Sequence, residues 1–342
     1  MTERRALLES IAVTTKDYRV GEIPPITADH VERWNEQFST ELRVPILREL
    51  NPVLTQTYFS QKRVKSFLKG LIGNKQLAGD DPCSYWKSAH FLDIQQNGAS
   101  QNELLAVFST LLEDACGVAT AECGAKGGDF IYIDDVLFSG SRIGNDLEPW
   151  IRDEAPANGV IQVIVIAVHA SGEWMVSRRL KKAISESGKQ LTVNYWRAKT
   201  LENRRTYRRD AEVLWPAGIP EEEICQDYIQ MPHKFPFEPR PDGGNIGIFS
   251  SEEGRRLLER EFLLAGLRIR RFCASPSSVV RPLGFSSFGL GFGSLIVTYR
   301  NCPNNCPLAL WWGDANAKPG HPFSKWYPLF PRKTYNAGAF GL

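Results

Sequence analysis

Between Val160 and Val168 the chain reads VIQVIVIAV, an apolar run broken only at Gln162. A strand with one wet face alternates apolar and polar residues. A continuous Val/Ile run therefore implies a strand buried on both faces, as in a parallel sheet. Even with its flanks, GVIQVIVIAVHA (159–170), the stretch is too short to span a bilayer as a helix. Parallel strands need long crossover connections, usually helices.

The flanking sequence supplies them. SAHFLDIQ (88–95) predicts a strand. A helix follows, with Ser100 and Glu103 as an S-x-x-E capping box and a stripe of Leu104, Leu105, Phe108, Leu111 and Leu112 running to a stop at Gly117. DFIYID (129–134) predicts a second strand, with a helix from about Ile143. After VIQVIVIAV comes a helix carrying Val176, Leu180, Ala183 and Ile184 on one face and ending at Gly188, then a strand QLTVNYW (190–196). This repetition predicts right-handed βαβ units in a Rossmann-like α/β core with a mainly parallel sheet flanked by helices.

The expected division is a helical N-terminal element over 1–80, the core over 81–200 and a C-terminal α+β extension over 201–342. In the first part Thr27 or Asp29 offers an N-cap. Lys62, Arg63, Lys65, Lys69 and Lys75 surround Val64, Phe67, Leu68 and Leu71, which reads as a solvated helix face or a basic surface for a nucleic acid or acidic partner. In the last part Ser250 and Glu253 suggest a capping box, with Gly266 at the end of the helix. Strands are expected over 293–299 and 308–312, joined by a Pro-Asn turn.

Several function classes recede. The net charge of +2 gives no global field for nucleic acid. The start, MTERRALLES, lacks an apolar signal-peptide segment, and no stretch has the length of a membrane span. Seven cysteines are scattered, an odd set that suggests ordinary thiols in a reducing cytoplasm. Cys302 and Cys306 have no second Cys/His pair at zinc spacing. GLGFG (289–293) leads into an expected strand, which is the wrong context for a dinucleotide loop. His90, His169 and His233 have no identifiable catalytic partner, and a structural role is the default for each. No nucleophile elbow, Walker loop or HExxH motif is present.

DFIYIDDVLFSGSR (129–142) carries the chemistry. In an open parallel sheet, ligands bind beyond the carboxyl ends of the strands, where Asp134 and Asp135 are expected. A helix starting just after would aim free N–H groups and a positive dipole end at the turn, which suits phosphate. Gly140 allows close backbone approach, Ser139 and Ser141 add hydroxyls, and Arg142 adds a fixed charge. The acids would repel phosphate and should face sugar hydroxyls or Mg²⁺ instead. The ligand so described is a ribose 5-phosphate.

IYIDDVLFSGSR resembles the phosphoribosyl-pyrophosphate (PRPP) motif of type I phosphoribosyltransferases (PRTases). The resemblance implies that Asp134 and Asp135 act at the ribose, holding its hydroxyls with Mg²⁺. Phe138, Ser139, Gly140, Ser141 and Arg142 would wrap the 5-phosphate. A pyrophosphate loop would fall at Gln96, Asn97, Gly98 and Ser100, although Ser100 also suits a plain N-cap. Two positions depart from the usual motif. Phe138 stands where Asp can serve as a base, and Arg142 stands where Thr is common. In TYRNCPNNCPLALWW, Asn304, Asn305 and Trp311 suit base recognition, or else a turn between core strands. With ENRR…WPAGIP, this tail resembles the PRTase-CE proteins of bacterial anti-phage conflict systems, retrons among them. That resemblance implies a cytoplasmic effector acting at ribose C1 of a PRPP-like ligand or nucleotide. It also implies partner proteins, which could include a reverse transcriptase with its nucleic acid. The alternative it leaves is a sensor or scaffold without turnover.

Overall fold

The computed structural model describes residues 2–332 except 97, 125–126, 232–235, 288 and 315. The chain forms two compact units, one of residues 61–202 and one of residues 1–60 with 203–342.

The first unit holds the sheet. Helices α4 (Gln61–Ile72), α5 (Lys75–Ala78) and α6 (Pro82–Ser88) lead into strand β2 (His90–Phe91). Then α7 (Ser100–Cys116), β3 (Phe130–Leu137), α8 (Ser141–Asp153), β4 (Asn158–His169), α9 (Ala170–Ser187) and β5 (Gln190–Leu201) alternate. The four strands pair in chain order and all are parallel. The expected Rossmann-like parallel core is therefore present. As the Val/Ile run required, every residue of β4 from Ile161 to His169 is buried. The core under α8 and α9 includes Tyr132, Val163, Val165, Ile143, Leu147, Val176 and Leu180.

Local departures have local causes. β2 is short because the chain leaves the sheet after Leu92, whose N–H still reaches Ile131 O at 2.9 Å. β5 runs five residues past the expected end at Trp196. Among the described residues it pairs only with β4, and such an edge tolerates polar and charged residues, here Arg197 and Lys199, that hide a strand from sequence patterns. Lys62, Lys65, Lys69 and Lys75 are exposed over buried Val64, Leu68 and Leu71, a solvated amphipathic face. Cys83 of α6 and Cys116 of α7 form a disulfide, which corrects the reading of all seven cysteines as thiols. The pair lies 33 residues apart in sequence. It meets because Trp86 of α6 packs edge-on against Phe108 of α7, with centroids 5.0 Å apart.

In the other unit, α1 (Glu3–Thr14), α2 (Ala28–Asn35) and α3 (Thr40–Thr57) precede β1 (Tyr58–Phe59). The C-terminal part adds α10 (Glu223–Gln230), α11 (Glu252–Arg270), β6 (Val297–Thr298) and α12 (Leu308–Trp311). β1 and β6 pair in parallel. Thr27 caps α2, accepting from His30 N. Four expectations for the C-terminal part need correction. Ser251, not Ser250, caps α11, because Ser250 gives its N–H and hydroxyl to the buried Glu49 carboxylate. Gly266 lies inside α11, where a Cβ would meet Pro282 O at 2.3 Å, so the glycine serves packing and not a stop. The strand expected over 293–299 shrinks to Val297–Thr298. Leu308–Trp311 is a short helix, since so brief an apolar run fits either period. GLGFG is a place of close backbone approach: a Cβ on Gly293 would meet Leu214 O at 2.3 Å.

One contact fixes the turn after β3. A Cβ on Gly172, in the first turn of α9, would lie 1.8 Å from Phe138 O. Gly172→Ala is expected to destabilise by about 3 kcal/mol through overpacking. Gly70→Ala in α4, where no atom lies within 4 Å of the added Cβ, should instead stabilise by about 1 kcal/mol. Urea midpoints of the two variants test both; equal shifts would show that α9 does not seat the turn.

Candidate functional site

The candidate site lies within the sheet unit. β3 continues past the acids to Leu137, so Asp134 and Asp135 sit inside the strand and not at its end, as the sequence had suggested. Tyr132 and Asp134 are two apart and share one face of the strand. That face meets α8, where the Tyr132 hydroxyl donates to Asp146 Oδ2 at 2.7 Å. Asp134 is 2% exposed. Each acid also accepts the backbone N–H that follows it, Asp135 N at 2.9 Å and Val136 N at 2.7 Å.

Ser100 is the hub. It is the first residue of α7 and makes no capping bond, contrary to the capping box expected of it. Its hydroxyl donates to Asp134 Oδ1 at 2.6 Å and accepts from Gln95 Nε2 and Arg142 Nη1, both at 2.9 Å. The preceding loop is held by a reciprocal glutamine pair. Gln101 Oε1 takes the N–H groups of Ile94 and Gln95, and Gln95 Oε1 takes that of Gln101. Gln96 N–H reaches Asp146 Oδ1 at 3.4 Å. Gly98 has φ +98°, the left-handed region, and its α-carbon faces the Arg142 guanidinium, which a Cβ would meet at 3.6 Å. The structure thus brings Gln96, Gly98 and Ser100 of one expected loop beside Asp134 and Arg142 of the other. Asn97 lies outside the described residues.

The turn after β3 is rigid below and open above. Gly140 is buried with φ +74°. A Cβ there would strike Gly172 O at 2.6 Å. Ser139 and Ser141 are exposed, their hydroxyls 3.0 Å apart. α8 starts at Ser141, and the first turn of a helix leaves N–H groups without helical partners. Phe138 stacks on His169 with centroids 5.0 Å apart. His169 is fully buried, and burial drives its pKa down to about 3, so the imidazole is neutral at physiological pH.

The charges are coupled. Burial, with a contribution from Asp135, pushes the Asp134 carboxyl up to about 7, while Arg142 and the Ser100 hydroxyl pull the other way. Arg142 is an exposed residue whose guanidinium end turns inward. Burial of that end lowers its pKa, but Asp134, Asp135, Tyr132 and Asp146 outweigh this and raise it. The Mg²⁺ implied by the resemblance would have Asp134 and Asp135 as its carboxylates, with the rest of its shell from ligand oxygens and water. Among the described residues no three or more His, Cys, Asp or Glu side chains are grouped to hold a metal ion. Both Asp146 oxygens and one Asp134 oxygen already accept hydrogen bonds.

The base-recognition candidates lie in the other unit. Asn304 O and Asn305 Nδ2 bond the backbone of Phe285. Trp311 is 1% exposed, and its indole N–H donates to Cys306 O at 2.7 Å. In this structure these groups support a turn and a core. Sequence reasoning missed Gln95, Tyr132, Asp146 and Gly172. Only Asp146 had a usable signal, one helical turn after Arg142.

A family model described as PRTase-CE matches residues 31–332. No curated protein matches the chain, and no solved structure does. No described helix is long and apolar enough to cross a membrane.

A carboxyl raised in the folded state takes up a proton on folding. Its stabilising contribution is present at low pH and is lost as pH rises through about 7. Asp134→Asn should therefore gain on wild type by on the order of 2 kcal/mol between pH 5 and pH 8. Urea unfolding at both pH values measures this, and a gap that does not move with pH would refute the burial of Asp134.

Proposed function

The chain belongs to the PRTase-CE family, and from that premise we propose that its sheet unit binds a phosphoribosyl ligand through the β3–α8 turn. The protein is phosphoribosyltransferase-like. The observation that carries the reading is the convergence of two loops: Ser100, at the head of α7, is bonded to both Asp134 of β3 and Arg142 of α8.

Asp134 and Asp135 would accept the ribose hydroxyls as charge-assisted hydrogen bonds. The 5-phosphate would sit over Ser139, Gly140 and Ser141, against the positive end of α8. The loop from Gln96 to Ser100, beside the Arg142 guanidinium, would face the group attached at C1. Breaking the bond at C1 leaves positive charge on the ribose ring, and carboxylates held at the adjacent hydroxyls stabilise such charge. A transferase or nucleotide-cleaving activity at C1 is thus the first reading. In the setting the family resemblance implies, an anti-phage system, such an activity would deplete or modify a nucleotide.

A specific observation favours a second reading. The loop position that can carry a base in this class is Phe138, stacked on a buried, neutral His169. A site with ribose and phosphate contacts but no base at that loop position suits a sensor that binds without turnover.

Titration calorimetry with ribose 5-phosphate and with PRPP tests the ligand. Asp134→Asn with Asp135→Asn should weaken binding about 100-fold or more, from two lost charge-assisted bonds. Binding that survives the double change would end the phosphoribosyl assignment. Following PRPP and nucleotides by phosphorus NMR separates the two readings: phosphate or pyrophosphate release marks the enzyme, and an unchanged ligand marks the sensor.

A further inference from the structure

We propose that the Arg142 guanidinium is the resident cation of this site, so that the phosphoribosyl ligand binds without a divalent metal ion. The inference rests on the phosphoribosyl reading and adds to it the source of positive charge.

A phosphate ligand beside Asp134, Asp135 and Asp146 would bring together like charges, which is costly unless a cation lies between them. The geometry supplies one from the chain itself. Arg142 Nη1 donates to Ser100 Oγ, and Ser100 Oγ donates to Asp134 Oδ1. One hydroxyl therefore bridges guanidinium and buried carboxylate. The guanidinium also lies against the backbone of Gly98, where a Cβ would meet Nη1 at 3.6 Å and Nη2 at 4.0 Å. It is thus placed between the acids and the loop expected to face the C1 substituent. The glutamine pair Gln95–Gln101 holds that loop in place.

The chemistry fits the placement. A guanidinium has five N–H donors and stays charged at any physiological pH. Nη1 is engaged by Ser100, which leaves further donors for a phosphate or pyrophosphate oxygen. The surrounding acids strengthen its hold on the proton. Arg142 can so neutralise the acids on one side and contact the anion on the other, the two tasks a bound metal ion would perform.

The test uses the full chain and PRPP, which carries an anion at C1, as probe, by calorimetry in EDTA and again in Mg²⁺. Wild type should bind with the same affinity in both. Arg142→Lys should keep metal-independent binding, because the charge remains. Arg142→Thr should lose about 10- to 100-fold in EDTA and regain part of it with Mg²⁺. In a Mn²⁺ titration read by electron paramagnetic resonance, Arg142→Thr should bind the ion and wild type should not. Circular dichroism and urea midpoints confirm that each variant is folded. Wild-type binding that requires Mg²⁺ overturns the inference while leaving the phosphoribosyl reading intact. A loss in Arg142→Thr that Mg²⁺ does not relieve also overturns it, since the guanidinium would then act by shape and not by charge. No binding by wild type in either buffer overturns the phosphoribosyl reading, and the inference with it.

Discussion

The hydrogen bond from Ser100 to Asp134, 2.6 Å long, is the contact on which the rest of the site depends. It joins the first residue of α7 to the middle of β3 and gives a buried carboxylate a partner. An unpartnered charge at that depth would cost several kcal/mol or simply take up a proton. Because Ser100 also accepts from Gln95 and Arg142, one hydroxyl sets the loop before α7 and the side chain that leaves α8. The placing of the Gln95 amide and the direction of the Arg142 guanidinium are consequences of a single junction.

A second constraint is steric. The turn between β3 and α8 sits so close to the start of α9 that neither Gly140 nor Gly172 has room for a side chain. Below the turn the backbone is packed against backbone, and above it Ser139 and Ser141 are open to solvent. Under the proposed reading a phosphate-sized anion would meet such a surface without rearrangement of the chain, and binding would then cost less ordering. The polar junction sets Asp134 and the loop before α7, and the glycine contact sets the turn after β3.

Much of this was legible from local pattern. The unbroken Val/Ile run of β4 required a parallel sheet, and the stripe Val176, Leu180, Ala183 required α9 to pack on it. The pair Asp134-Asp135 before Ser139-Gly140-Ser141 marked the strand and turn that the proposed site uses. What pattern missed depended on partners distant in sequence. Ser100 looked like a cap because S-x-x-E is a local rule. Asp134, more than thirty positions later, claimed its hydroxyl instead. Ser250 lost the cap of α11 to Ser251 for the same reason, through Glu49. Gly266 looked like a helix stop, but the helix passes through it because Pro282 needs the space.

By itself, the sequence determined which segments become strands and helices of the sheet unit and which turn gathers small hydroxyl residues before a helix, because hydrophobic period and residue chemistry act over a few neighbours. Only the tertiary structure decided what the acids face. It set both inside β3, buried Asp134 and joined it through Ser100 to a loop more than thirty residues upstream, and turned Arg142 inward among carboxylates. Those outcomes follow from desolvation: a charge taken out of water must find its partner wherever the fold brings one, and no local pattern in the chain records that meeting.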